Sequence, residues 1–259
     1  MGYFMEKTNK YQTISRKIKL LKESFPCIRN LSDEQAFTVL CVKANYYKNP
    51  SLSFTENEIS ELLVDSVKDG GVDALFSDPN SETNNLIICQ SKYYENITFD
   101  VVRDAVSKMI LFYKGMDRGE YELVNEKVQR RFLTLNAEIG EESKVCFVFY
   151  TSAEKNRIRE DRICKLLDEY GLNTVNFEIQ LFFCDDILDE IKESESRRPS
   201  VESGKIEIDR INNVLQYNED AIVVNASAFS IKELYATHST NLLSRNLRYF
   251  IKKEISIHQ

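Results

Sequence analysis

Two apolar segments separated by a turn constrain this chain most: Asp69-Gly70-Gly71-Val72-Asp73-Ala74-Leu75-Phe76, then Leu86-Ile87-Ile88-Cys89-Gln90-Ser91-Lys92. Each carries an unbroken run of apolar or small residues without helical spacing. Turn signals stand at Gly70-Gly71 and at Asp78-Pro79-Asn80, so both segments are expected to be short buried strands joined as a hairpin. Side chains two apart on a strand share a face. Gln90 and Lys92 are therefore expected to point the same way, with Asp73 facing them from the neighbouring strand. A carboxylate, an amide and an ammonium then meet at one end of a sheet.

Polar groups on apolar strands are costly to bury, and two readings account for them. In one, Asp73 and Lys92 form an ion pair that closes the sheet end. In the other, Asp73 and the Gln90 carbonyl are oxygen ligands for a divalent cation, and Lys92 orients a water or stabilises charge growing on a phosphate. Asp65 and Asp69 stand nearby as turn residues, caps or supplementary ligands.

The rest of the composition removes several chemistries. Six cysteines are scattered without a CxxC pair and there are two histidines, His238 and His258, so neither a zinc site nor a Ser-His or Cys-His hydrolase is expected. No GxxxxGK[ST] or GxSxG occurs. Several cysteines lie in apolar patterns where a small buried hydrophobe is the better account than a disulfide, which favours a reducing, cytoplasmic setting. No apolar run approaches the ~18 residues that span a bilayer, and no membrane partner is expected. A net charge of −7 argues against a protein that coats nucleic acid by bulk electrostatics, but leaves local basic patches open. Two such patches stand out, one within residues 7–22 and one at Lys127, Arg130 and Arg131. Each is either a solvated helix face or a phosphate track.

Asp-Gly-Gly-Val-Asp followed by Gln-Ser-Lys on an apolar strand resembles the PD-(D/E)xK nuclease superfamily, in its Mrr-like branch. Together with "LLSRNLRYFI" near the C-terminus, the chain resembles the abortive infection phage resistance (AIPR) family over roughly residues 30–259. The resemblance implies an α/β fold: a restriction-endonuclease-like αβββαβ core whose mixed sheet is flanked by helices, with extra N-terminal helices. It implies metal-dependent phosphodiester hydrolysis, of DNA, in bacterial phage defence, with Mg²⁺ or Mn²⁺ as cofactor. Asp73, Gln90 and Lys92 are then catalytic, and Asp73 and Gln90 ligate metal. Glu34, in the first turn of a helix before the sheet, joins them as a ligand or simply favours the helix dipole. Lys127, Arg130, Arg131 and Tyr93 are candidate nucleic-acid contacts, with packing over the sheet end as the other account of Tyr93. The rival function is a non-catalytic module that binds nucleic acid or a protein partner. A homo-oligomeric scaffold is a third, and a homodimer stays open.

Along the chain, helices are expected at residues 6–24, from Ser32, from Thr55 to about 64, at 98–114, in the middle of 117–140, at 153–170 and from 185 to 191. The Ser32/Gln35 and Thr55/Glu58 pairs have the spacing of capping boxes. Strands are expected at 144–151 and 177–184. Strands alternating with helices argue for a sheet with parallel members. Residues 193–204 read as a linker between a domain at 1–195 and a second at 204–259. In the second, strands are expected at 205–209, 212–217 and 221–226, then helices at 230–235 and 242–251, with Arg245 and Arg248 on one face. The resemblance makes this second part the truncated start of an AIPR-type C-terminal domain.

Overall fold

In a computed structural model of the 259-residue chain, the structure describes residues 9–48, 54–140, 142–196, 214–218, 221–224, 228–229 and 232. The chain divides into two compact units, Met1–Glu195 and Ser196–Gln259.

The first unit is an α/β layer built on a four-stranded mixed sheet in the order β1-β2-β3-β4. β1 (Ala74–Ser77) and β2 (Leu86–Lys92) form the antiparallel hairpin that the turn signals imply, with Ala74 opposite Cys89 and Ser77 opposite Leu86. β3 (Val145–Thr151) runs parallel to β2, and β4 (Phe177–Phe182) parallel to β3. Parallel neighbours require crossovers. Helices α4 (Phe99–Asp117) and α5 (Glu126–Asn136) make the first, and the short helices α6 (Glu160–Cys164) and α7 (Leu166–Glu169) the second. Before the sheet come α1 (Lys10–Ser24), α2 (Asp33–Val42), which runs into a π-helical turn at Lys43–Tyr47, and α3 (Glu56–Leu62); α8 (Cys184–Ser196) follows it.

Strand alternation divides the core into two layers. Ile87 and Cys89, with Cys146, Val148 and Tyr150, pack under α1, α2 and α8 through Ile14, Phe37 and Ile187. Leu86 and Ile88, with Val145, Phe147 and Phe149, pack under α4 and α5 through Val106, Met109, Val128 and Phe132. Both expected capping boxes form, Ser32 with Gln35 and Thr55 with Glu58. Cys41, Cys89, Cys146 and Cys184 are buried thiols, and no disulfide occurs among the described residues. Nor is any described helix long and apolar enough to cross a membrane.

Several expected boundaries move. In place of a helix over 153–170 there is irregular chain and then α6 and α7, because Arg157 takes a left-handed φ of 56° that a continuous helix does not allow. α8 begins at Cys184 and runs to Ser196, so residues 193–196 are helical rather than linker. Its N-terminus is held by Asp186, not Asp185: the Phe183 N–H donates to the Asp186 carboxylate at 2.9 Å. Among the described residues two strands, with a single bridge from Leu63 to Ala74 beside them, precede the crossover helix where the αβββαβ order has three.

The edge strand β1 is closed by α5. Lys127 Nζ donates to the Leu63 carbonyl at 2.8 Å, and Arg131 Nε donates to the Leu75 carbonyl at 3.3 Å while its guanidinium pairs with Glu61. These donors satisfy carbonyls that an open edge leaves exposed to pairing.

The second unit contains an antiparallel pair, β5 (Val214–Asn218) and β6 (Ala221–Val224), with a register irregularity between Gln216 and Asn218. The expected linker at 197–204, the strand at 205–209, most of the helix at 230–235 and the segment 242–251 with Arg245 and Arg248 lie outside the described residues.

The tight turn into β1 makes a stability prediction. Gly70 has φ +73°, and a Cβ there would lie 2.6 Å from Phe112 Cδ2; Gly171 has φ +70° with nothing within 4 Å. Gly171→Ala should lose only the left-handed backbone cost, about 1 kcal/mol. Gly70→Ala should add an overpacking cost and lose about 3 kcal/mol in urea unfolding. Equal losses would show that Phe112 yields freely.

Candidate functional site

The site begins with the way the backbone of Asp73 is held at the entrance to β1. Its N–H donates to the Cys89 carbonyl at 2.8 Å, and its carbonyl accepts from Val64 N at 2.9 Å. The side chain is fixed as well. Oδ2 accepts from Ser91 N at 2.6 Å and from the Ser91 hydroxyl at 3.2 Å. Ser91 Oγ is in turn 2.6 Å from Thr38 Oγ1, and the Thr38 hydroxyl also reaches the Glu34 carbonyl at 3.1 Å. A hydrogen-bonded path thus joins Asp73 to the first turn of α2, where Glu34 sits.

The bond from Val64 places the next residue, Asp65, beside Asp73. Asp65 accepts from Gln35 Nε2 at 3.3 Å, and Gln35 is the residue whose side chain also closes the α2 capping box by accepting from Ser32 N. Asp69 completes the loop. Its carboxylate accepts from Gly71 N at 2.7 Å and from Ser66 N at 3.3 Å, and the loop is fastened to α5 by Asn125, whose amide donates to Ser66 Oγ at 2.9 Å. Gly71, at φ +77°, lets the chain turn from this loop into Val72 and Asp73.

The result is a cleft of about 300 Å³ at the C-terminal end of β2, lined by Glu34, Asp65, Asp73, Ser91, Lys92 and Tyr93 among others. One carboxylate oxygen each of Asp65, Asp69 and Asp73 lies within 4.8 Å of the other two. Burial pushes the Asp73 carboxyl up to about 6 from the usual 3.8; the Asp65 charge adds to this, and the Ser91 amide, Lys92 and the Ser91 hydroxyl offset part of it.

Of the residues singled out in the sequence, Glu34, Asp73, Lys92 and Tyr93 share the cleft. Gln90 does not line it. Asp73 lies ahead of β1 rather than within it, and its carboxylate is turned onto Ser91 instead of facing the Gln90 side chain. Gln90 is 4% exposed, and its Oε1 is buried with no hydrogen-bond partner. An orphaned amide oxygen costs about 1–3 kcal/mol, and this one belongs to the residue between Cys89 and Ser91, the two that bond Asp73.

The carboxylates of the cleft suit a hard divalent cation. Asp65, Asp73 and Glu34 line it, and one oxygen each of Asp65, Asp69 and Asp73 lies close enough to share an ion, whereas the unpartnered Gln90 oxygen lies outside the lining. Lys92 supplies positive charge at the same opening.

Tyr93 is stacked against Tyr11 with ring centroids 5.1 Å apart and tilted against Phe37 at 5.4 Å, so one side of its ring is committed to packing α1 and α2 onto the sheet end. Its hydroxyl, with burial, pushes the Tyr11 phenol up to about 12. Lys127 and Arg131 are likewise committed, to the Leu63 and Leu75 carbonyls, while Arg130 is exposed. The contributions of Thr38 and Gln35 carry no local sequence signal. Gln35 is legible as half of a capping box, but its partner Asp65 is 30 residues away.

The raised Asp73 pKa makes stability depend on pH. Ionisation is harder in the folded chain than in the unfolded one, so the folded state is favoured below about pH 4 and loses stability as pH rises through about 6. Asp73→Asn keeps an acceptor for Ser91 and removes the buried charge. It should therefore be more stable than the parent by about 3 kcal/mol at pH 8 in chemical denaturation, with most of the gain gone at pH 4. A destabilised variant at pH 8 would show that the ionised carboxylate is the preferred form.

Comparison of the chain with protein-family models, with curated proteins and with solved structures found no match.

Proposed function

We propose that the first unit is a metal-dependent phosphodiesterase that cleaves DNA, with the restriction-endonuclease-like site that the PD-(D/E)xK and AIPR resemblance implies. The observation that carries this reading is the meeting of Glu34, Asp65, Asp73 and Lys92 in one cleft at the end of a mixed sheet. Three carboxylates beside one ammonium suit a phosphodiester only when a cation offsets their repulsion of phosphate.

Asp73 and Asp65, with Glu34, would hold Mg²⁺ or Mn²⁺; Gln90, which the resemblance makes a ligand, does not line the cleft. The cation, when bound, supplies charge neutralisation at phosphate and a water of lowered pKa. Everything else falls to the chain's own groups. Lys92 holds the attacking water or stabilises charge developing on the phosphate oxygens. Ser91, itself in contact with Thr38, fixes one Asp73 oxygen. The resemblance further suggests a role in phage defence.

A second reading, a nucleic-acid-binding module without catalysis, is favoured by the same Ser91 bonds, which already satisfy one Asp73 oxygen without any ion. Cleavage of plasmid and phage DNA separates the two. With Mg²⁺ or Mn²⁺ the parent chain should cut, chelation by EDTA should stop it, and Asp73→Ala and Lys92→Ala should each lose about 10²–10³-fold in rate. Metal binding measured by calorimetry should disappear in Asp73→Ala and persist in Lys92→Ala. A parent that neither binds the ions nor cuts, or that cuts equally well in both variants, rules out catalysis by these residues.

A further inference from the structure

The cations of α1 fall into two sets with different surroundings. Lys10 and Lys17 face the body of the unit, where they ion-pair with Asp185 at 2.8 Å and Glu195 at 2.6 Å and so clamp α1 onto α8. Arg16, Lys19 and Lys22 stand on another face at three-residue steps, and with Arg29 they line an open groove of about 640 Å³. The groove's carboxylates are Glu23 and Asp33, and Asp33 is taken up by Lys22 at 2.8 Å. Arg16, Lys19 and Arg29 are exposed, and among the described residues none of the three ion-pairs with a carboxylate. On a chain of net charge −7 this is a local excess of positive charge.

We propose that this groove binds the phosphodiester backbone of duplex DNA and leads it to the cleft of Asp73; the second half of this statement rests on the function proposed above. Three observations support it. The spacing suits a polymer: residues 16 to 22 span about 9 Å of helix axis at about 1.5 Å per residue, more than a single phosphate fills. The groove also adjoins the cleft through the N-terminus of α2, where Asp33 lines the groove while its neighbours Ser32 and Glu34 line the cleft. Finally, two of the three cations in the other basic cluster already have partners, since Lys127 and Arg131 are engaged with the carbonyls of Leu63 and Leu75, which leaves Arg130 alone exposed without one of these bonds. Charge is thereby divided, with cations where the backbone is gripped and carboxylates where it is to be cut.

Binding of a short fluorescein-labelled DNA duplex to the full chain, measured by anisotropy in EDTA across a salt series, tests this. The parent should bind, and Arg16→Gln/Lys19→Gln/Arg29→Gln should bind at least about tenfold more weakly, with the slope of log K against log salt smaller by about 2–3. Because the three side chains are exposed, thermal melting should be unchanged. A parent that does not bind the duplex overturns the proposal. So does a triple variant that binds equally well, or a loss found with Arg130→Gln and not with the groove variant. The two proposals fail separately. Metal-dependent cutting with groove-independent binding removes the groove and keeps the phosphodiesterase; groove-dependent binding without cutting does the reverse.

Discussion

The bond from Ser91 N to the Asp73 carboxylate, 2.6 Å long, is the contact on which the site depends. It joins the residue before β1 to the penultimate residue of β2. Around it, the Asp73 backbone is held by Cys89 on one side and Val64 on the other. That second bond places Asp65 next to Asp73, and the Thr38 hydroxyl brings the first turn of α2 to the same point. Three stretches far apart in the chain therefore converge on one carboxylate. The hairpin supplies the floor, the loop before it one wall, and α2 the other.

That carboxylate sits where burial opposes its charge. A chain selected only for stability has little reason to retain an acid whose ionisation the fold resists, or an amide oxygen at Gln90 with no partner. Both features lie on neighbouring backbone positions, and a cation bound in the cleft would offset the Asp73 charge. A carboxyl whose ionisation is opposed by burial, set in a cleft, marks a candidate site. The cations are distributed on the same principle. Where structure needs them they are consumed, as at Lys10, Lys17, Lys127 and Arg131. Where they are left over, on Arg16, Lys19 and Arg29, they line an open groove.

Local signals in the sequence carry the elements and much of the site. The Gly70-Gly71 turn, the two apolar runs and the two capping boxes are short-range features, and the hairpin and the starts of α2 and α3 follow from them. Asp73, Lys92, Glu34 and Tyr93 are legible as candidates because each stands out against its own segment. Their relations are not. Strand alternation alone sets Gln90 and Lys92 on one face with Asp73 opposite, yet a bend ahead of β1 turns Asp73 onto Ser91. Asp65 enters the cleft through a bridge between Leu63 and Ala74 that no periodicity announces. On α5, Lys127 and Arg131 donate to carbonyls beside the open edge of β1, and carbonyls that need donors leave no mark on the sequence. The late start of the helix expected over 153–170 is likewise invisible, since it turns on one left-handed residue, Arg157, ahead of α6.

The central claim is that Asp73 and its neighbours hold a divalent cation, and diffraction from crystals soaked in Mn²⁺ addresses it most directly. An anomalous peak within bonding distance of Asp73, shared with Asp65 or Glu34 and lost in Asp73→Asn crystals, is the predicted result. Mn²⁺ found only elsewhere on the molecule, or a peak that persists without the Asp73 carboxylate, would contradict the account and leave the Ser91 bond as a structural latch alone.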